Sequence, residues 1–211
     1  MATSVSTKSL TELINERHSV RKYDATYKIS KEEINDILKE ATKAPSSSNL
    51  QPWRFIVIED QEVKKELRTI ANNQEQVETA SAVIAVIGDK EMYKSVEKVY
   101  RSAFEAGYLD EVSMNRLIEN TNKTYPFAPE EILKNIASFD AGLISMQLML
   151  IAKDRGYDTV PMGGFSKEQF AKKFELPERF FPVVLIAIGK ASAPAHHTTR
   201  LPLDDVLIDY I

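Results

Sequence analysis

Three runs in this chain are apolar at both odd and even positions: WRFIVIED at 53–60, SAVIAVIG at 81–88 and FPVVLIAIGK at 181–190. Successive side chains of a strand point to opposite sides of its sheet, so a run with no polar face needs apolar cover on both sides. Helical patterns fill most of the remaining chain. The pattern predicts helices around a small sheet in an α+β fold, since three such strands are few for a doubly wound one. The nucleotide-binding glycine patterns GxGxxG and GxxxxGK[ST] are absent from the 211 residues, so a dinucleotide would have to bind without that fingerprint.

No repeat or Pro/Gly/Ser linker divides the sequence, which reads as a single domain over 1–211. A first helix is expected from Thr7 or Ser9 to Arg17, with Leu10, Leu13 and Ile14 on one face. Ser30-x-x-Glu33 is a capping-box pattern for a second, ended by Pro45. Further helices are expected over 61–71, across much of the charged stretch 90–119, and over 166–173. Ala128-Pro129-Glu130-Glu131 opens another, with proline in the first position and acids in the first turn. It continues through FDAGLISMQLMLIAKD at 139–154, which carries Asp140 and Gln147, is too short for a bilayer span, and is read as a buried helix. YDTVPMGGF is read as a turn-rich connection. The tail, about 191–211, holds Leu201, Leu203, Val206, Leu207 and Ile208, and an arm this apolar is expected to pack onto something, another subunit being one candidate.

Composition removes several functions. The net charge of −4 lacks the basic excess of a nucleic-acid surface, and zero cysteines leave no disulfide, thiolate metal site or Cys nucleophile. The amino-terminal residues contain no long apolar stretch of the secretory kind, and a cytoplasmic location is expected. His18, His196 and His197 have no metal-ligand spacing, and no G-x-S-x-G supports a serine triad, so neither a metal site nor a catalytic side chain is assigned.

Five segments carry candidate chemistry. NERHSVRKYD places Arg17, His18, Ser19 and Arg21 at a helix end, where two guanidiniums suit a phosphate but where basic residues also simply favour the helix dipole. KAPSSSNLQPWRF strings Pro45, Ser46, Ser47, Ser48, Asn49 and Gln51 without a charge before Trp53, more neutral hydrogen-bonding groups than a turn requires. Asn73 and Gln76, three apart, are read as sharing a helix face, with carboxamides that both donate and accept. In TVPMGGF, Gly163 and Gly164 let backbone N–H groups approach a ligand, or make a tight turn. Arg200 lies beside the histidines of HHTTRLPL. Tyr125, Phe127 and Phe165 are candidate aromatic walls for a substrate, though such residues more often simply pack in a core.

In this order the segments resemble the nitroreductase family of FMN-dependent oxidoreductases. ERHSVRKYD, APSSSNLQPWRFIVI, NNQEQVETASAVIAV, SFDAGLISMQLMLIAKDRGYDTVPMGGF and TTRLPL carry the resemblance over nearly the whole chain, and only about 90–130 matches loosely. It implies a three-layer sandwich, a mostly antiparallel sheet flanked by helices, in a domain-swapped homodimer whose carboxy-terminal arms wrap the partner. It implies bound FMN, NADPH or NADH as reductant, and ping-pong hydride transfer through flavin N5 to nitroaromatic or quinone acceptors. The alternatives are an FMN-storage protein with little turnover or a specialised reaction such as reductive dehalogenation. By resemblance, Arg17, His18, Ser19, Arg21 and Arg200 hold the phosphate, ribityl chain and pyrimidine edge, and Asn73 and Gln76 face the ring or ribityl hydroxyls. Pro161, Met162, Gly163 and Gly164 pass along the isoalloxazine. Pro45, Ser46, Ser47, Ser48, Asn49 and Gln51 reach the other subunit's flavin. Two positions depart from the family's habit: Gly163 stands where many relatives carry an acid, and Thr198 where a base is common.

Overall fold

The computed structural model describes residues 8–211. Its centre is a four-stranded antiparallel sheet in the order β1-β2-β4-β3, from β1 (Trp53–Ile58), β2 (Ala82–Asp89), β3 (Asp158–Met162) and β4 (Phe180–Gly189). The three two-sided runs are β1, β2 and β4, and the fully buried β2 lies between the other two. Alternation along β2 divides the core. Ala82, Ile84 and Val86 belong to one apolar cluster with Ile34, Ile37, Ala141, Ile144 and Leu148, whereas Val83, Ala85 and Ile87 belong to another with Leu67, Ala71, Val77 and Phe170. The first cluster is covered by α2 (Lys31–Ala41) and α7 (Glu130–Asp154), the second by α3 (Gln61–Ile70), α4 (Glu75–Thr79) and α8 (Lys167–Lys173). The expected three layers are present.

Helix starts follow the capping chemistry. Ser9 and Ser30 accept from Glu12 N–H and Glu33 N–H, opening α1 (Leu10–Glu16) and α2. Thr7, the other start considered, lies outside the described residues. α2 ends at Ala41 with Thr42 as its cap, before Pro45. Pro129 is the N-cap of α7 rather than its first helical residue. A satellite lobe, α5 (Val96–Glu105) and α6 (Glu111–Thr124), packs Tyr100, Met114 and Ile118 with Leu133 and Ala137 of α7.

Two readings are corrected. The run YDTVPMGGF is not simply a connection: it contains β3, whose Pro161 is tolerated because the strand lies at the sheet edge. α7 is 25 residues, long and apolar enough to cross a membrane on length and composition alone. Instead one face packs on the sheet through Ala141, Ile144 and Leu148, while Phe139 and Met146 on the other are exposed.

Candidate functional site

The amino-terminal motif leaves α1 at Arg17 and runs beside β3. Ser19 forms a parallel bridge with Thr159, and Val20 N–H donates to Thr159 O at 3.2 Å. That pairing carries the motif alongside the strand that ends at Met162, just before Gly163 and Gly164. Arg17, His18 and Ser19 are half-buried and Arg21 is exposed, its guanidinium donating to Ser19 O at 3.3 Å.

The segment before α4 joins them. Asn72 Nδ2 and Gln74 Nε2 donate to Gly164 O at 2.9 and 3.1 Å, and Lys22 pairs with Glu75 at 2.8 Å. Buried Gln76 donates to Gln74 Oε1 at 3.0 Å and lies 3.5 Å from Met162 Sδ. Asn73 and Gln76 do not share a helix face: Asn73 precedes α4 in a turn, with φ of 56° beside Asn72 at 53°, and Gln76 is inside the helix. Asn72 and Gln74 are residues the sequence reading missed, although NNQEQ contained them. Their target, a carbonyl about ninety positions away, has no local signature. Lys64, wholly buried, closes the far end of α4 by donating to Ala80 O at 2.6 Å, and desolvation pulls its ammonium down to about 8.

The tail reaches the same place. His197 meets His18 edge to face with ring centroids 5.5 Å apart, and exposed Arg200 donates to Thr198 Oγ1 and Thr199 O, both at 2.8 Å. The motif at 17–22, the segment 72–76, the turn 161–164 and the start of the tail thus form one polar cluster. Its floor is open. A Cβ built on Gly163 would meet nothing within 4 Å, whereas one on Gly164 would press on Asn72 at 3.3 Å. Gly163→Glu is therefore expected to fold with wild-type stability, within about 0.5 kcal/mol by thermal denaturation, as for a surface change that breaks no contact. A larger loss would mean that the space above Gly163 is not free.

The uncharged loop belongs to a second group. Ser47 N–H and Oγ–H donate to Asp140 Oδ2 and Oδ1 at 3.0 and 3.2 Å, and Tyr100 O–H donates to Ser48 O at 2.8 Å. Ser48 Oγ lies 2.9 Å from Tyr125 Oη. Ser48, Asn49 and Gln51 hold φ near +50°, a left-handed conformation that costs a non-glycine residue roughly 1–2 kcal/mol, less for asparagine. Trp53, buried in the first cluster, anchors the end of the loop. The hydrogen bonds recorded for Ser46, Ser47, Ser48, Asn49 and Gln51 stay within the loop or go to Asp140, Tyr100, Tyr125 and Arg54, and none reaches the polar cluster.

Of the aromatic candidates, Phe127 is 81% exposed and Tyr125 is half-buried beside the loop. Phe165 is 8% exposed and packs edge-on against Phe170 at 5.6 Å. Among the described residues no three His, Cys, Asp or Glu side chains gather as a metal would require.

Comparison with known proteins agrees with this architecture. The model of the nitroreductase family matches residues 14–190. "Putative NAD(P)H nitroreductase YdgI" of Bacillus subtilis is 44% identical over 204 residues, 96% of this chain and 98% of its own length. The "CLA biosynthesis enone reductase" of Lactiplantibacillus plantarum is 34% identical over 194 residues, 90% of this chain and 89% of its own. Among solved structures, a "putative nitroreductase in complex with FMN" from Exiguobacterium sibiricum superposes with a TM-score of 0.93 at 44% identity, covering 98% of this chain and 99% of that one. A match this long, together with the antiparallel sheet between helical layers and the clustered motifs, makes the chain a member of the nitroreductase family.

Proposed function

We propose that this protein is an FMN-dependent NAD(P)H oxidoreductase, active as a homodimer and reducing nitroaromatic or quinone-type acceptors. The observation that carries the reading is the cluster itself: guanidiniums, a serine and the carboxamide-bearing segment 72–76 gathered around a glycine turn that is open above Gly163. That donor set suits FMN. Arg17, Arg21 and Arg200 match the phosphate, Ser19 a ribityl hydroxyl, and the Gly163–Gly164 backbone an isoalloxazine edge that a Cβ would push away.

Bound FMN would supply the redox chemistry, carrying reducing equivalents between NADPH or NADH and the acceptor. The chain's part is to hold, orient and shield. Asn72 and Gln74 fix the Gly164 carbonyl, which sets the direction of the turn beside the ring. The exposed ring of Phe127 offers a wall to a planar acceptor, while Tyr125 ties that wall to the loop through Ser48. No side chain of the cluster is assigned as an acid or base, since water can supply the protons.

Homodimerisation is supported by exposed apolar surface. A groove of about 700 Å³ lined by Leu10, Leu13, Leu143, Met146, Leu150 and Pro45 lies open, and the tail exposes Leu201, Leu203, Val206 and Ile208. A partner covering the groove would bring its own loop, which begins at Pro45, towards this chain's cluster. Cytoplasmic residence fits the lack of cysteine.

The first test is anaerobic titration of the flavin-loaded protein with NADPH and NADH, followed by steady-state kinetics. Bleaching of the flavin band and parallel double-reciprocal lines are expected. Flavin that stays oxidised with both nucleotides would favour a storage protein instead, and intersecting lines would remove the shared site. A second reading, reduction of a C=C bond conjugated to a carbonyl, is favoured by the enone-reductase relative and is tested with enone acceptors in the same assay.

A further inference from the structure

We propose that Asp140 is the positioning residue of the flavin-facing loop: from the core helix α7 its carboxylate grips Ser47 and fixes the left-handed turn that presents Ser46, Ser48 and Asn49. The role rests on the FMN reading above, but the grip is visible without it. Asp140 is 1% exposed, and each of its carboxylate oxygens accepts one hydrogen bond, both from Ser47. Its neighbours on α7 are Ala141 and Ile144, part of the apolar cluster, so the fold would be served as well by an aliphatic residue.

The position of the grip explains the shape of the loop. Ser48 and Asn49, with φ of 50° and 51°, follow the gripped residue directly, and Gln51 at 49° comes after right-handed Leu50. Released at Ser47, the loop would relax towards right-handed conformations. The hydrogen bonds from Tyr100 and with Tyr125 hold Ser48 from the opposite side, so the turn is clamped between α7 and the satellite lobe. α7 is 25 residues long and packed against the sheet, which makes the loop rigid relative to the core.

Burial raises the Asp140 carboxyl above its ordinary value, and the two Ser47 hydrogen bonds only partly oppose this. A carboxyl with a raised folded-state pKa supports folding below its unfolded value and loses that support as pH rises through the folded one. At neutral pH the ionised group therefore costs stability.

The test uses Asp140→Asn in the full chain, with hydrogen exchange of residues 46–51 and thermal midpoint measured without flavin, and FMN affinity measured by fluorescence quenching. The neutral carboxamide keeps one acceptor oxygen for Ser47's two donors. Exchange within the loop should rise about tenfold and FMN affinity fall about 10- to 100-fold, the effect of losing a charge-assisted hydrogen bond, while the midpoint stays level or rises. Ser47→Ala, which loses only the hydroxyl bond, should shift both in the same direction by less, and it carries the test if Asp140→Asn does not fold. A variant loop as protected as wild type overturns the proposal, as does a midpoint that falls with faster exchange throughout α7. Wild-type protein that takes up no FMN defeats the functional reading instead, and loop exchange still decides the grip.

Discussion

Replacing both Arg17 and Arg200 with alanine is expected to weaken FMN binding by about 10² to 10⁴, because a hydrogen bond to a charged group is worth about 1.5–3 kcal/mol and each 1.4 kcal/mol is a factor of ten. The fold should be untouched. Arg17 caps α1 through its backbone N–H, which donates to Leu13 O, and the hydrogen bonds of Arg200 are to its own neighbours Thr198 and Thr199. Position 198 is a threonine, so it would add no cation beside Arg200 if that arginine meets the phosphate as proposed. The loss should shrink as ionic strength rises, since the two arginine charges that favour the phosphate in the wild type are screened over about 10 Å at 0.1 M salt. Arg200→Lys is expected to recover part of the affinity, keeping the charge but losing the planar fork. Calorimetric titration of the flavin-free protein with FMN and with riboflavin checks the assignment: the double variant should lose its preference for the phosphorylated form. Equal loss for both ligands would mean that the arginines hold the ring or the fold, not the phosphate.

What could be read from the sequence, and what could not, divides by range. The layered fold was legible because β1, β2 and β4 are apolar at successive positions, a signal contained within each strand. Helix starts were legible at Ser9 and Ser30 because a cap and its target lie three residues apart. β3 was missed because Pro161 and the paired glycines outweigh a five-residue strand that needs β4 beside it. The supports of the site were missed for a related reason. Ser47 and Asp140 are 93 positions apart, Ser48 and Tyr125 77, and Asn72 and Gly164 92. Read alone, Asp140 was only a charge interrupting an apolar helix. Resemblance to a family picks out residues that face a ligand more readily than residues that hold those residues in place, because the latter need only reach a backbone atom that the fold supplies.

The same limit applies to the outer face of α7, where a single substitution should have the other large effect. Met146→Arg is expected to turn a dimer into a monomer and to remove most of the bound FMN. Met146 is 39% exposed and lies in the apolar groove with Leu10, Leu13, Leu143 and Leu150. If a second copy covers that groove, the arginine loses its water among leucines, a cost of several kcal/mol per ion that only Glu40 or Asp154, at the groove's margin, could offset. Two-fold symmetry imposes it twice, which raises the dimer dissociation constant by at least about a thousandfold at 1.4 kcal/mol per decade. Flavin should leave with the partner. The loop that begins at Pro45, on the rim of the groove, makes its recorded side-chain hydrogen bonds to Asp140, Tyr100, Tyr125 and Arg54, apart from the cluster around Gly164. A single chain would then offer the phosphate side of the site without the loop that closes it. Met146→Leu is the control, apolar and of similar volume, and should keep both dimer and flavin. Sedimentation equilibrium and the flavin-to-protein absorbance ratio, measured on the same samples, separate the outcomes. A monomeric Met146→Arg protein that retains one FMN per chain would mean that each chain builds its site alone, and the uncharged row from Pro45 to Gln51 would then need a different ligand.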